Sequence, residues 1–212
     1  MPQGHTPGKN SRPEKKRPGK DVPSASGPAK GKRNGTVPRP ANRLQVARAA
    51  DTILISVVGL GSVNNAGALW DFASQSLEDG WRRFALDLTE CRGLDSTFLG
   101  TLVGISQEIE EQDSSVEGWV CVVNASDANR ELFEIVGADK YVRFKASVRM
   151  EPLETQALAT GLMSTERRLE LVRRAHENLI SIDQRNEARF GEFLRCLAAE
   201  LANKSDDTPS KE

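Results

Sequence analysis

The chain has 212 residues and a formal net charge of -1, which is room for one domain with additions or for two small ones. That near-zero charge hides a split: twelve of the 29 Lys+Arg but only Glu14 and Asp21 of the 30 acids fall in residues 1–50, so an arm at +10 precedes a body at -11. Three cysteines (Cys91, Cys121, Cys196), odd in number and without two-residue spacing, exclude a disulfide framework or a zinc cluster and point to a reduced cytoplasm.

Residues 1–42 hold eight of the ten prolines and no aromatic side chain. Such a segment buries too little apolar surface to offset ordering its backbone, so a disordered arm is expected. Its basic runs, Lys15–Lys20 and Lys30–Arg33, make it either a solvated tether or a weak contact for polyanions through phosphate neutralisation. It lacks the apolar segment of a secretory leader.

From Leu44 the pattern changes. Leu44 and Val46 alternate with polar neighbours, Ala49-Ala50-Asp51 can turn the chain, and Ile53 to Val58 form a β-branched run, so an opening hairpin is predicted. The longest apolar stretch, Ile53 to Leu60, is interrupted by Ser56 and Gly59 and is far short of the roughly 18 residues of a membrane span. Leu69, Trp70, Phe72, Ala73 and Leu77 lie at helical spacing and are closed by Gly80. Phe84, Leu86 and Leu88 read as a strand, and Asp95-Ser96 precede a second helix through Phe98, Leu102, Val103 and Ile109. Trp119 to Val123 is an interior strand, Ser126 caps a short helix ending at Gly137, and Tyr141 to Phe144 is an edge strand.

Strands alternating with helices predict an α/β fold with a mainly parallel or mixed sheet of about four to five strands covered by helices, spanning residues 43–150. Residues 151–204 turn helical: Leu169, Val172, His176, Leu179 and Ile180 make one face, and Phe190, Phe193, Leu194, Leu197 and Leu201 another. Asp183 divides them into a helical pair whose apolar faces dock on the body or on a second copy. Residues 205–212 are read as a disordered tail.

Catalytic side chains are scarce. His5 lies in the arm and His176 on a helix seam, so no imidazole is expected beside a nucleophile, and no metal or cofactor site is expected. Gly59-Leu60-Gly61-Ser62-Val63-Asn64 has the strand–turn–helix position of a dinucleotide-binding turn, but its third glycine is Asn64 and the acid Asp87 comes late, so two glycines relieving a tight turn are the better account. Cys91 is read as a packed thiol. Glu108, Glu110, Glu111 and Asp113 read as a solvated helix end.

The most informative segment runs from Phe84 to Gly100. A strand ends in a polar loop, and Asp95-Ser96-Thr97 stand at the start of an amphipathic helix, where Asp or Ser can cap orphan amides and where a phosphorylated hydroxyl would be favoured by the helix dipole. Leu86-Asp87-Leu88 and Asp95-Ser96-Thr97-Phe98-Leu99-Gly100 resemble the STAS family of sulphate transporters and anti-sigma factor antagonists, the likeness covering roughly Arg43 to Ala146. Thr97 stands where that pattern has a second Ser, and Phe98 where it has Gly, adding bulk beside the acceptor. The resemblance implies a regulator and not an enzyme: Ser96, less favourably Thr97, is the phosphorylation position, with Asp95, Thr97, Phe98 and Leu99 around it as the partner contact. The implied partners are an anti-sigma factor that is also a serine kinase, and a phosphatase, in a cytoplasmic bacterial pathway controlling transcription. A scaffold or adaptor in which Ser96 only caps a helix is the competing reading.

The arm supplies no core, so deleting residues 1–40 is expected to leave the melting temperature nearly unchanged in a thermal scan. For any binding of the full chain to heparin or DNA, the logarithm of the affinity is expected to fall linearly with log salt concentration, as counterion release requires.

Overall fold

The computed structural model describes residues 41–112, 115, 117–146 and 154–206, with side chains through residue 201. The arm up to residue 40, Asp113 and the tail from residue 207 lie outside the described residues.

Strand β1 (Arg43–Ala49) and β2 (Thr52–Gly61) form the expected hairpin, turning through Ala50, whose φ is 51°. Helix α1 (Val63–Glu78) follows, then β3 (Arg83–Asp87), β4 (Cys91–Leu94), α2 (Ser96–Glu111), β5 (Trp119–Val123) and α3 (Asp127–Val136). A 3-10 turn leads to β6 (Arg143–Lys145), and β7 (Gln156–Ala157) precedes α4 (Thr165–Ile182) and α5 (Arg185–Asp206). The sheet runs β6-β5-β3-β2-β1-β7, with β4 paired to the end of β2; β2, β3, β5 and β6 are parallel, and β1 is antiparallel to β2 and β7.

Seven strands replace the expected four to five within the same α/β class. The two extra ones are β4, which reads as a polar loop because Arg92 and Gly93 break any apolar alternation, and β7, two exposed residues recruited only by pairing with Val46 and Gln45. Neither carries a periodic signal, since backbone pairing alone makes them strands.

Side chains alternate across the strands with period two. Leu44, Val46, Ile53, Ile55, Val57, Phe84, Leu86, Val120 and Val122 face α1 and α2 and meet Leu69, Phe98, Leu102 and Val103 in the main core. The opposite face carries a smaller cluster of Ala47, Leu54 and Ala85, flanked by Trp119. Helix α4 packs on α2 and α1, adding a further helical layer, and α5 folds back along α4.

The C-terminal pair breaks where Asp183 is expected to divide it. Asp183 accepts the Arg185 N–H at 2.9 Å, and fully buried Asn186 donates to the Val136 carbonyl at 2.9 Å and to that of Leu179 at 2.7 Å, fastening the corner to the end of α3. The pair docks on its own domain, mainly through Ala175, His176 and Leu179. Of the expected α5 face, Leu197 is buried and Phe190 and Leu194 are half-buried, but Phe193 is 45 % exposed. Helical period identifies a stripe, and the width of the cleft it enters decides how much of the stripe is covered.

Phe98 is fully buried in the centre of this core. Phe98→Ala is expected to cost about 3–5 kcal/mol, read as a lower denaturation midpoint in urea with little change of slope.

Candidate functional site

The amino termini of α1 and α2 meet at the carboxyl end of β2. The sequence produces this by ending β2 in Gly61-Ser62 and β4 in Leu94-Asp95, two strand ends paired side by side, so that both helices start from one edge. Gly61 is required for close approach: a side chain there would run into Leu94 and the Phe98 ring.

Asp95 joins the two starts. Its backbone N–H donates to the Gly61 carbonyl at 2.9 Å; one carboxylate oxygen accepts the Phe98 N–H at 2.8 Å as the cap of α2, and the other accepts the Val63 N–H of α1 at 2.9 Å. Buried Asn65 accepts the Ser62 N–H at 2.8 Å and donates to the Leu60 carbonyl at 2.9 Å. Asn42 accepts the Leu60 N–H at 3.0 Å. These turn amides are therefore engaged by the chain's own side chains, consistent with reading Gly59 and Gly61 as a tight turn. Asn64, at the position of the missing third glycine, is exposed and accepts from Arg168 of α4 at 3.1 Å.

Ser96, the first residue of α2, is half-buried and is not the cap. Its Oγ lies 2.9 Å from Nε2 of His176 on α4. The other ring nitrogen, Nδ1, is 2.7 Å from the Val172 carbonyl, which can only accept, so Nδ1 carries the proton. Burial, the largest influence on this imidazole, pushes its pKa below the ordinary value near 6.5, opposed by the Val172 hydrogen bond and the negative charge of Asp95. In the neutral ring Nε2 is thus the acceptor, and the Ser96 hydroxyl donates to it. Phe190 and Phe193 stand against the imidazole with ring centroids 4.7 and 5.2 Å away.

This contact overturns the expectation that no imidazole stands beside a nucleophile. The two residues are 80 positions apart, and the periodicity of α4 shows which face is apolar without showing what that face meets. Arrangement of a serine hydroxyl on an acceptor nitrogen at a helix amino terminus is chemically suited to holding the hydroxyl in one orientation.

Two further expectations are corrected by burial. Thr97, Phe98 and Leu99 are 5 %, 0 % and 2 % exposed, so they belong to the core and offer no contact surface, and Thr97 is not presented as an acceptor. The reason is that α2 lies between the sheet and the layer of α1 and α4, so consecutive residues around its whole circumference are covered. The Phe98 ring is fully buried and sits against Gly61. The exposed apolar side chain at this end is instead Leu60, 41 % exposed, next to Gly93 of β4. The alternation of β2 carries the signal: Ile53, Ile55, Val57 and Gly61 face the main core, so Leu60 falls on the opposite face with Leu54.

Asp87, in the middle of the second motif, accepts from Thr89 N–H at 3.0 Å, Thr89 Oγ1 at 2.7 Å and Asn124 Nδ2 at 2.9 Å, a structural tie at the end of β3. Cys91 is half-buried and burial raises its thiol pKa, so it is held as a thiol. Glu110 and Glu111 are exposed at the far end of α2. No helix among the described residues is long and apolar enough to cross a membrane.

The lowered pKa of His176 sets a pH dependence. The unfolded chain takes up the proton near pH 6.5 while the folded ring stays neutral to lower pH, so stability is full above about 6.5, declines through the window below it, and levels off once the folded ring also protonates. Urea titrations between pH 8 and 5 are expected to show this loss in the wild type and a flatter profile in His176→Ala.

Residues 44–148 match the family model described as Mlab, STAS domain. Solved structures similar to the chain include the protein TM1081 of Thermotoga maritima (17 % identity, 49 % of this chain and 85 % of that one, TM-score 0.43). The phosphorylated form of the Bacillus cell fate determinant SpoIIAA aligns at 18 % identity over 50 % of this chain and 91 % of that one, TM-score 0.41. An anti-sigma factor antagonist of Mycobacterium paratuberculosis aligns at 22 % identity over 49 % and 85 %, TM-score 0.40. No curated protein sequence matches the chain. The α/β sheet, the paired helix starts and the Asp95-Ser96 turn all fall inside the matched segment, and residues 44–148 form a STAS domain.

Proposed function

We propose that this STAS protein is a phospho-switched protein-binding regulator of the anti-sigma factor antagonist type, acting in the cytoplasm, with Ser96 as its phosphoacceptor and no catalytic activity of its own. One observation carries the reading: Asp95 caps α2, which leaves the Ser96 hydroxyl at the helix amino terminus without a capping duty. A phosphate there would be favoured by the positive amino-terminal end of a 16-residue helix. It would add -1.5 to -2 charges beside the Asp95 carboxylate.

The switch then works by charge at the surface. An anti-sigma factor that is also a serine kinase binds the unmodified end of the domain through Ser96, Leu60 and Asn64, and the dianion opposes that contact by repulsion and by the cost of desolvating it. A phosphatase restores the binding form. The competing scaffold reading has Ser96 only as a helix cap; Asp95 holds that cap, and the hydrogen bond to His176 leaves this reading a packing role for the hydroxyl instead.

Intact mass and peptide mapping of protein from its native cells are expected to show a phosphate on Ser96. In pull-downs, Ser96→Ala is expected to retain the kinase partner and Ser96→Asp to lose at least tenfold in capture, with equal folding by circular dichroism. Equal capture by wild type and both variants, with no phosphate on Ser96, would leave the scaffold reading.

A further inference from the structure

The α4–α5 pair occupies the surface on which that reading depends. Ser96 presents its hydroxyl not to solvent but to His176 of α4. Next to this contact the two helices touch through their backbones: any side chain at Gly100 would collide with the Ala175 carbonyl, and one at Gly104 with the Asn178 amide. Asn178 donates to the Gly100 carbonyl at 3.1 Å and Gln107 to Ser181 at 3.2 Å, so the contact continues along α2. At the α1 side, Arg167 forms a two-pronged ion pair with Asp71 at 2.6 Å, Arg168 reaches Asn64, and Arg174 stacks 4.0 Å over Trp70.

We propose that this helical pair is a cis competitor for the Ser96 face: it covers the free hydroxyl through His176, must lift before a partner or kinase can reach it, and cannot reseat once Ser96 carries a phosphate. This inference rests on Ser96 being the phosphoacceptor. Steric exclusion follows from the geometry. At 2.9 Å between Oγ and Nε2 there is no space for a phosphoryl group, and the imidazole cannot step aside. Its Nδ1 is tied to Val172, Phe190 and Phe193 stand against the ring, and the neighbouring Ala175 is already in backbone contact with α2.

The rim of the seam is weakly held. The Arg167–Asp71 ion pair is between exposed groups, of the kind that contributes little to stability, and at Arg174 an exposed guanidinium lies over the half-buried Trp70 ring. A cleft of about 220 Å³ lined by Trp70, Thr101, Met163 and Leu171 remains between α1, α2 and α4. By contrast, the α2 face toward the sheet is closely filled by Phe98, Leu102 and Val103. Segments with fewer buried apolar contacts open at lower cost than the core, so α4 can lift while the STAS domain persists.

The test uses the full chain and hydrogen exchange followed by mass spectrometry at pH 8. Ser96→Asp places an acid at the first position of a helix, where it favours α2, and is expected to speed exchange of residues 166–182 at least tenfold while β2, β3 and β5 stay protected. Gly100→Ala, which blocks docking without touching Ser96 or His176 and favours the helical state of α2, is expected to do the same. It is also expected to be phosphorylated on Ser96 several-fold faster than wild type in native-cell lysate supplied with labelled ATP. Unchanged protection of α4 in Ser96→Asp, or an opened α4 in Gly100→Ala with no faster labelling than a labelled wild type, overturns the cover. Absence of label in every chain rejects Ser96 as phosphoacceptor instead, and the exchange results then judge whether a charge at position 96 expels α4. If Ser96→Asp also loosens the strands, protection of α4 in Gly100→Ala decides the matter: opened supports the cover, closed rejects it.

Discussion

The carboxylate of Asp95 is the interaction on which this end of the molecule depends. Two helix amino termini leave orphan N–H groups pointing at the same place, and one side chain with two acceptor oxygens serves both, taking Phe98 of α2 and Val63 of α1. Hydrogen bonds to an ionised acceptor are stronger than neutral ones, and a capping side chain typically contributes about 1 kcal/mol to its helix. Because Asp95 also bonds through its backbone to Gly61, the cap fixes α1, α2 and the end of β2 relative to one another.

That fixed junction explains why Ser96 is available. Had the hydroxyl been the cap, its lone pairs would belong to the helix amides; with Asp95 in that role, the hydroxyl proton is free to meet an acceptor brought from elsewhere. The acceptor is His176, and its position depends in turn on how closely α4 can approach α2. Gly100 and Gly104, one turn apart, remove the side chains that would hold the helices separate, so α4 sits near enough for an imidazole to span the gap. A backbone-close contact and a buried neutral ring therefore belong to the same arrangement, and the desolvation that keeps the ring neutral makes it an acceptor for the serine.

Local signals accounted for most elements. Ser126 accepts the Asn129 N–H as the cap of α3, Gly137 ends that helix in the left-handed conformation, Gly80 closes α1, and Ala50 turns the first hairpin. Each is decided by groups within a few residues, so each can be read from a short window. The strands legible as β-branched or alternating runs are those with a buried face; β4 and β7 have no such face to advertise and exist through pairing alone. Leu60 shows what alternation leaves open: it lies on the face of β2 opposite Ile55 and Val57, and the surroundings at the strand's end decide that it stands 41 % exposed.

The amino-acid sequence by itself determined the α/β order of elements, the Asp95-Ser96 turn at the start of α2 and the amphipathic character of the C-terminal helices, because capping and periodicity are short-range properties of the chain. Only the tertiary structure decided that Thr97, Phe98 and Leu99 point into the core, that Asp95 serves two helices, and that His176 closes on Ser96. Those outcomes depend on which surfaces meet across gaps of 32 to 80 residues, and a helical period specifies a face without specifying its partner.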